Sequence, residues 1–522
     1  MSGATVLPGE RRGLLATLPE LPPGADPAAL LPQARPLDTG LSADYLEHHG
    51  VLPLGQREGR LVVATWRDAV DPQTLDDLSE IVGAPVEVVT IGESDLRAAI
   101  RRLYTGESAR DVIADLGDDG RAGEAGEGAL DDLVSLANEA PVVKLVNLLL
   151  LEALEARASD VHLETYAGSV RVRYRIDGVL QDAAAPPARL AAAVVSRLKI
   201  MAELDIAERR IPQDGRIRLR LRDRPVDVRV STLPTLHGES VVLRLLDKQS
   251  GRIGLDEMGM PDDVLRAFVA AVSRPHGIVL TTGPTGSGKT TTLYAAVDRI
   301  HTGREKILTV EDPVEYELPG VPQVSVNTKV GLTFASALRA LLRQDPDVML
   351  VGEIRDHETA EIATHAALTG HLVLSTLHTN DAPSAITRLV DLGIEPYLVA
   401  STVEAILAQR LVRKICNECK EPAELTVEER TALGIPLDEP FPVWAGKGCS
   451  ACRGTGYVGR TGIYELLVMN DEMRSALHKD VDASRLGKIA LANGMRRLRD
   501  DGVRLIRAGV TTPEEVLRVA VG

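Results

Sequence analysis

GIVLTTGPTGSGKTTTLYAA, residues 277–296, decides the fold. An apolar run from Gly277 to Thr282 reads as a buried strand. A glycine-rich loop follows, and a helix pattern begins at Thr290. Gly283, Gly286 and Gly288 let the main chain curl until successive N–H groups point inward at an anion. The helix places its positive end at the same spot. The spacing is that of a phosphate loop, G-x-x-x-x-G-K-T. Gly283, Pro284, Thr285, Gly286, Ser287, Gly288, Lys289 and Thr290 are therefore the candidate nucleotide-binding residues. Lys289 reaches the terminal phosphates, and the Thr290 hydroxyl is placed to ligate magnesium. The competing reading is a surface glycine turn, which the flanking strand and helix disfavour.

Working outward, KILTV (306–310) ends at Glu311-Asp312-Pro313. VMLV (348–351) ends at Gly352-Glu353, and LVLST (372–376) ends near His378. The patterns FASALRALLRQ and HETAEIATHAALT lie between them as helices. Repeated strand–loop–helix units imply a parallel sheet, whose ligands bind beyond the carboxyl ends of the strands. A carboxylate at the end of a buried strand is costly unless a positive charge faces it. Lys289 and a magnesium–nucleotide complex supply that charge. One of Glu311 and Glu353 would hold the metal through water, and the other would orient or deprotonate the attacking water. The plainer readings are a helix cap or an ion pair with Arg355. His371 and His378 flank one strand and are candidates for sensing the terminal phosphate, although a lone histidine is more often structural.

The chain has 522 residues, a length for about three domains. Residues 1–40 are rich in Pro, Ala and Leu and are expected to be loosely ordered. A small α+β domain is expected over 41–105, with a helix at SADYLEHHG, a strand at RLVVATW and a closing helix at ESDLRAAIRRLY. An acidic, glycine-rich flexible linker spans 106–135. A second domain covers 136–250. It opens with a helix whose first turn holds Pro141, and it contains three strands with arginines on their polar faces. If these share a sheet, its outer face is strongly basic. Asp177-Gly178 is a hairpin signal. The α/β domain occupies 251–522.

The formal net charge of −16 argues against general affinity for nucleic acid, and 3% aromatic residues offer little for base stacking. No apolar run approaches the roughly 18 residues of a membrane span, and no signal peptide is evident. A cytoplasmic location is expected, with membrane contact only through partners. Cys416, Cys419, Cys449 and Cys452 are the only cysteines. Two Cys-x-x-Cys pairs fit a tetrahedral zinc site within a small module, 413–456, whose own core is too small to fold alone. A redox pair is the alternative.

LRQDPDVMLVGEIRDHETAEIATHAALTGHLVLSTLHTNDA (342–382) closely resembles the signature of bacterial secretion ATPases of the type II/type IV pilus class. ILTVEDPVE (307–315) looks like their aspartate box. SDVHLE, IPQDGRIRLRL and VDVRVSTLPTLHGESVVLRLL look like their second N-terminal domain, and CNEC…CSAC looks like the zinc module of the assembly branch. The stretch at 136–160 looks closest to the type II secretion motor. The resemblance implies a RecA-like P-loop NTPase core preceded by a PAS-like α+β domain. It extends the phosphate loop to Thr291, makes Glu311 and Glu353 the acidic catalytic residues, and makes His371 and His378 the histidine box. It implies a homo-hexamer in which Arg216 and Arg229 reach the nucleotide. ATP, magnesium and zinc are the implied ligands. GVLPLGQREGRLVVATWRD resembles a domain that docks a membrane-anchored partner (GspL-like), and a platform protein (GspF-like) would receive the movement at the inner membrane. Some relatives bind a cyclic dinucleotide there through repeated Arg/Gly/Leu motifs, and that repeat is not found.

These readings favour an ATP-driven motor of type II secretion. A motor of a type IV pilus or competence system shares the same motifs. A regulatory nucleotide scaffold without turnover is disfavoured by the intact Lys289, Glu311 and Glu353.

Overall fold

The computed structural model describes Leu21, Leu31, Leu41 and residues 43–67, 69–104, 140–221, 224–247, 253–478 and 481–520. The expected linker, 106–135, lies outside the described residues.

The first unit has helices α1 (Ala43–His49), α2 (Pro72–Val82) and α3 (Glu93–Tyr104) around strands β1 (Val51–Arg57), β2 (Arg60–Thr65) and β3 (Val86–Thr90). The sheet order is β1-β2-β3. β1 was not legible because Pro53 and Gly55 interrupt it. It occupies an edge, where proline is tolerated, and its register shifts between those two residues. Leu21 and Leu31, inside the stretch expected to be loosely ordered, are buried in this unit's core. The Leu21 N–H donates to the Gln56 carbonyl at 2.8 Å.

The second unit begins with α4 (Ala140–Glu155), then β4 (Ala158–Tyr166), β5 (Ser169–Ile176), β6 (Val179–Asp182), α5 (Ala191–Met201), β7 (Gln213–Leu221), β8 (Arg224–Thr235) and β9 (Gly238–Asp247). Its strands lie in the order β6-β5-β4-β9-β8-β7. Asp177 and Gly178 both take positive φ, 49° and 85°, as the tight turn between β5 and β6 requires. The two helices cover one face and bury Val172, Tyr174, Val228 and Leu243 beneath them. The other face is less basic than the arginines predict. Arg171 pairs with Asp182 at 2.7 Å, Arg173 with Glu164 at 2.6 Å, and Arg175 and Arg244 share Asp160 at 3.7 and 3.1 Å. The acids come from neighbouring strands, which a strand-by-strand reading does not see.

The third unit comprises α6 (Asp262–Val272), β10 (Gly277–Thr282), α7 (Lys289–Ile300), β11 (Ile307–Glu311), β12 (Gln323–Ser325), α8 (Phe334–Leu341), β13 (Val348–Val351), α9 (His357–Leu368), β14 (Leu372–Leu377), α10 (Ala382–Asp391), α11 (Pro396–Thr402) and β15 (Val403–Ile415). β16 (Lys420–Ala423), α12 (Val427–Leu433), β17 (Val443–Gly446) and β18 (Tyr457–Val468) follow. The chain then continues in α13 (Asp471–Leu477), α14 (Ala483–Ala492), α15 (Leu498–Arg507) and α16 (Pro513–Ala520). The main sheet runs β12-β11-β13-β14-β10-β15-β18, parallel except for the β15–β18 pair.

Helices on both faces explain the uninterrupted apolar runs. Met349 and Val351 face the core containing α8 and α9, while Val348 and Leu350 face the core containing α6 and α7. β10 divides likewise, with Ile278 and Leu280 on one side and Val279 on the other. β10 is an interior strand between β14 and β15, so the loop leaving it emerges within the carboxyl edge of the sheet. The cysteine module hangs between β15 and β18 as a two-stranded β16–β17 sheet with α12.

Candidate functional site

Thr282 pairs with Leu377 of β14 on one side and Ala408 of β15 on the other. The residues that follow, Gly283, His378 and Gln409, therefore emerge at one level, at the carboxyl edge where ligands bind. Gly283 has φ 149° and Gly288 has φ 90°. A Cβ on Gly283 would lie 2.6 Å from both the Gln409 carbonyl and the Ser287 hydroxyl. The loop can follow this path only without a side chain there. Pro284, Thr285 and Gly286 are exposed, Gly283 and Ser287 are buried, and Thr290 and Thr291 are half-buried in the first turn of α7.

The Lys289 ammonium donates to the Gly283 carbonyl at 2.8 Å and to the Pro284 carbonyl at 3.1 Å. Burial pushes its pKa down to about 8; the Glu353 charge works against that fall, and the Arg410 charge adds to it. The Ser287 hydroxyl is buried and has no hydrogen-bond partner among the described residues. An unpaired buried hydroxyl and a cation resting on loop carbonyls fit a loop built to receive an anion.

The carboxylates separate. Glu353, two residues beyond β13, pairs with Arg355 at 2.5 Å and lies 3.4 Å from the His378 Nε2. It is close enough to act electrostatically on Lys289. Glu311, the last residue of β11, is 3% exposed. Its carboxylate accepts from the Tyr294 hydroxyl, from Thr309 Oγ1 at 2.6 Å and from Gln323 Nε2 at 3.1 Å. The expectation that both acids face one metal–nucleotide complex therefore differs from what is seen. Adjacent side chains on a strand alternate sides, and the Glu311 carboxylate meets α7's Tyr294 instead. Burial and Glu311 together raise the Tyr294 pKa, so its proton stays in this hydrogen bond.

The histidines separate too. His378 is at the loop edge. His371 precedes β14 at the opposite end, about 20 Å away along the strand. Its Nδ1 lies 2.9 Å from the Ala366 carbonyl and 3.1 Å from Thr369 Oγ1, in the turn that closes α9. Within one chain His371 is thus not brought to the phosphate loop, because the two ends of a strand cannot share a site.

Arg216 and Arg229 are cross-strand neighbours on β7 and β8. Both line a cleft of about 670 Å³ between the second and third units, with Asp312, Pro313 and Ser325 opposite. Arg229 lies 3.6 Å from Glu315. The structure brings these arginines to the segment after β11. Of the acids that follow β11, Glu315 is the one Arg229 meets, and Asp312 lines the same cleft.

The four cysteine Sγ atoms all lie within 4.8 Å of one another. Three separations are 3.8 Å (Cys416–Cys449), 3.9 Å (Cys419–Cys452) and 3.7 Å (Cys449–Cys452). A tetrahedron with Zn–S near 2.3 Å has edges of about 3.8 Å. A disulfide would need about 2.0 Å, so the donor set fits a metal. Backbone N–H groups of Gly448, Cys449 and Gly456 point at Cys419 and Cys452 sulfurs at 3.1 to 3.3 Å, as thiolate ligands require.

Sequence reasoning missed Gln409 and Arg410. The available signal was their position inside the apolar run of β15. Among the described residues no helix is long and apolar enough to cross a membrane.

A family model described as Type II/IV secretion system protein matches residues 135–518, and one described as the MshEN domain matches residues 20–110. The second match begins inside the stretch where Leu21 and Leu31 are buried. The chain is 56% identical over 370 residues to Type II secretion system protein HxcR of Pseudomonas aeruginosa, covering 71% of this chain and 75% of that one. It is 46% identical over 452 residues to Type II secretion system ATPase E of Vibrio cholerae, covering 86% and 90%. It is 46% identical over 481 residues to Type IV pilus assembly ATPase PilB of Myxococcus xanthus, covering 91% and 85%. Among solved structures it resembles the Legionella pneumophila ATPase DotB with a TM-score of 0.54 and 22% identity, covering 72% of this chain and 95% of that one, a likeness of fold.

Proposed function

Because this chain belongs to the Type II/IV secretion system protein family, we propose that it is the ATP-hydrolysing motor of a type II secretion system. In this role it drives pseudopilus assembly and protein export from the cytoplasmic face of the inner membrane. The carrying observation is the edge where Lys289, Glu353 and His378 converge at the phosphate loop. Lys289 would hold the terminal phosphates, and Glu353 would orient or deprotonate the attacking water. Glu311 would act from behind, holding α7 and β11 in register through Tyr294. Magnesium, held by Thr290, would neutralise charge developing on the phosphates. Arg216 and Arg229 would carry positive charge to the nucleotide across the cleft in a homo-hexameric ring. Zinc on Cys416, Cys419, Cys449 and Cys452 would be structural.

The moving parts in this reading are 136–250 and 251–522, with the first unit docking an inner-membrane partner. Asp177 of the β5–β6 turn already touches the third unit, accepting from the Gly459 N–H at 2.8 Å and lying 3.4 Å from Arg460. The test has two parts. Phosphate release from Mg-ATP must vanish in Lys289→Ala; an unchanged rate overturns the enzymatic reading. A disulfide between cysteines placed at 177 and 460 must stop transport by locking the units; continued secretion overturns the rotary coupling.

The likeness to a pilus assembly ATPase supports a second reading, assembly of a type IV pilus. Co-purification separates the two, since a secretion-system membrane partner and a pilus platform protein are different molecules.

A further inference from the structure

Midway along β15, level with the carboxyl end of β10, lie two polar side chains that the proposed chemistry does not use. Gln409 is 2% exposed and Arg410 8%. The Gln409 amide spans two pieces of the phosphate site. Its Nε2 donates to the Ser287 carbonyl at 2.7 Å, and its Oε1 accepts from the Thr292 hydroxyl at 2.8 Å. Ser287 lies in the loop, and Thr292 lies one turn into α7. Arg410 reaches the other way. Its Nη2 donates to the Asn380 carbonyl at 2.9 Å, and its Nη1 to the Gln409 carbonyl at 3.2 Å. Asn380 belongs to the segment that carries His378. That segment is also tied to the end of β10, where the Thr379 N–H donates to Thr282 Oγ1 at 2.9 Å.

We propose that Gln409 and Arg410 are positioning residues of the ATPase reaction: Gln409 sets the curl of the phosphate loop, and Arg410 holds the His378 segment against it. Burying an amide and a guanidinium is costly unless every polar atom is used. Here the amide is spent on a carbonyl and a hydroxyl at the loop, and the guanidinium on the Asn380 carbonyl and side-chain oxygen and the Gln409 carbonyl, with the Glu465 and Asp381 charges acting on it. The Arg410 charge also acts on Lys289, as does the Glu353 charge, and the Lys289 charge acts on His378.

The inference rests on the ATPase reading, and the experiment separates the two. Full-length protein is assayed for Mg-ATP turnover and for affinity toward a fluorescent ADP, beside the Lys289→Ala control. Gln409→Leu keeps the size and loses both hydrogen bonds, so the KM for ATP and the Kd for ADP rise on the order of tenfold. Thr292→Val, isosteric, removes the hydroxyl that Gln409 Oε1 accepts from and produces a rise of the same kind. Arg410→Met lowers kcat more than it raises KM. It also moves the alkaline loss of ADP binding to higher pH, because a positive neighbour of Lys289 is gone. Arg410→Lys restores part of that pH profile. Folded variants with wild-type KM, Kd and pH profile, showing only a lower Tm, overturn the inference and leave the ATPase reading intact. Wild-type protein with no Lys289-dependent turnover overturns the ATPase reading itself.

Discussion

Glu353 and His378 meet at 3.4 Å across the ends of two adjacent parallel strands, while Arg355 holds the same carboxylate at 2.5 Å. A carboxylate held from both sides is aimed. It also has a neighbour that can exchange a proton with it.

Glu353→Gln keeps the shape and removes the base. Turnover should fall at least about 100-fold, while nucleotide affinity changes little. Phosphate release compared with fluorescent-nucleotide titration checks this. A variant that loses affinity and keeps turnover per bound nucleotide would contradict the role.

The pH response has two limbs. Burial and the Lys289 charge lower the His378 pKa below its ordinary value, so the imidazole is neutral at pH 7 and gains its proton only on acidification. The opposite limb belongs to Lys289, whose pKa of about 8 means its charge is present below that pH and lost above it. Bound polyphosphate favours the charged form, so binding near pH 8 to 9 takes up a proton on Lys289. Calorimetry in buffers of different ionisation enthalpy measures that uptake. It should disappear in Lys289→Met.

Removing Arg229 tests whether its value is structural or functional. Its partner Glu315 is 41% exposed, and such pairs contribute about 0–1 kcal/mol. Arg229→Ala should leave Tm nearly unchanged. If the arginine delivers charge to the nucleotide, turnover falls on the order of a hundredfold or more. Equal losses in Tm and turnover would reduce Arg229 to a fold-stabilising contact.

Metal analysis should find one zinc per chain, and Cys452→Ser should lose it. Hydrogen exchange should then rise across 416–456, because β16 has no buried residue and α12 and β17 have one each, Leu433 and Val443. ADP affinity should persist, since the phosphate loop is held by β10, β14 and β15. Loss of all nucleotide binding on mild chelation would contradict this division.

The residues by themselves determined the chemistry that depends on short spacing. A loop from Gly283 to Thr290, two cysteine pairs and apolar runs ending in acids are local patterns, and local patterns survive in one dimension. The type I′ turn at Asp177-Gly178 belongs with them, because two neighbouring φ angles decide it.

Only the tertiary structure decided which of those residues share a site. Glu311 and Glu353 read alike in the chain, yet one carboxylate is buried against Tyr294 and the other faces Lys289, because side-chain direction depends on register and on the helix packed above. His371 and His378 are seven positions apart but sit at opposite edges of the sheet. The arginines of β5 found acids on β4 and β6, while Arg216 and Arg229 were left facing a cleft. Gln409 and Arg410 join the phosphate loop from a strand more than a hundred residues later. Pairing between distant strands brings such groups together, and that pairing is set by the packing of whole faces rather than by any single stretch.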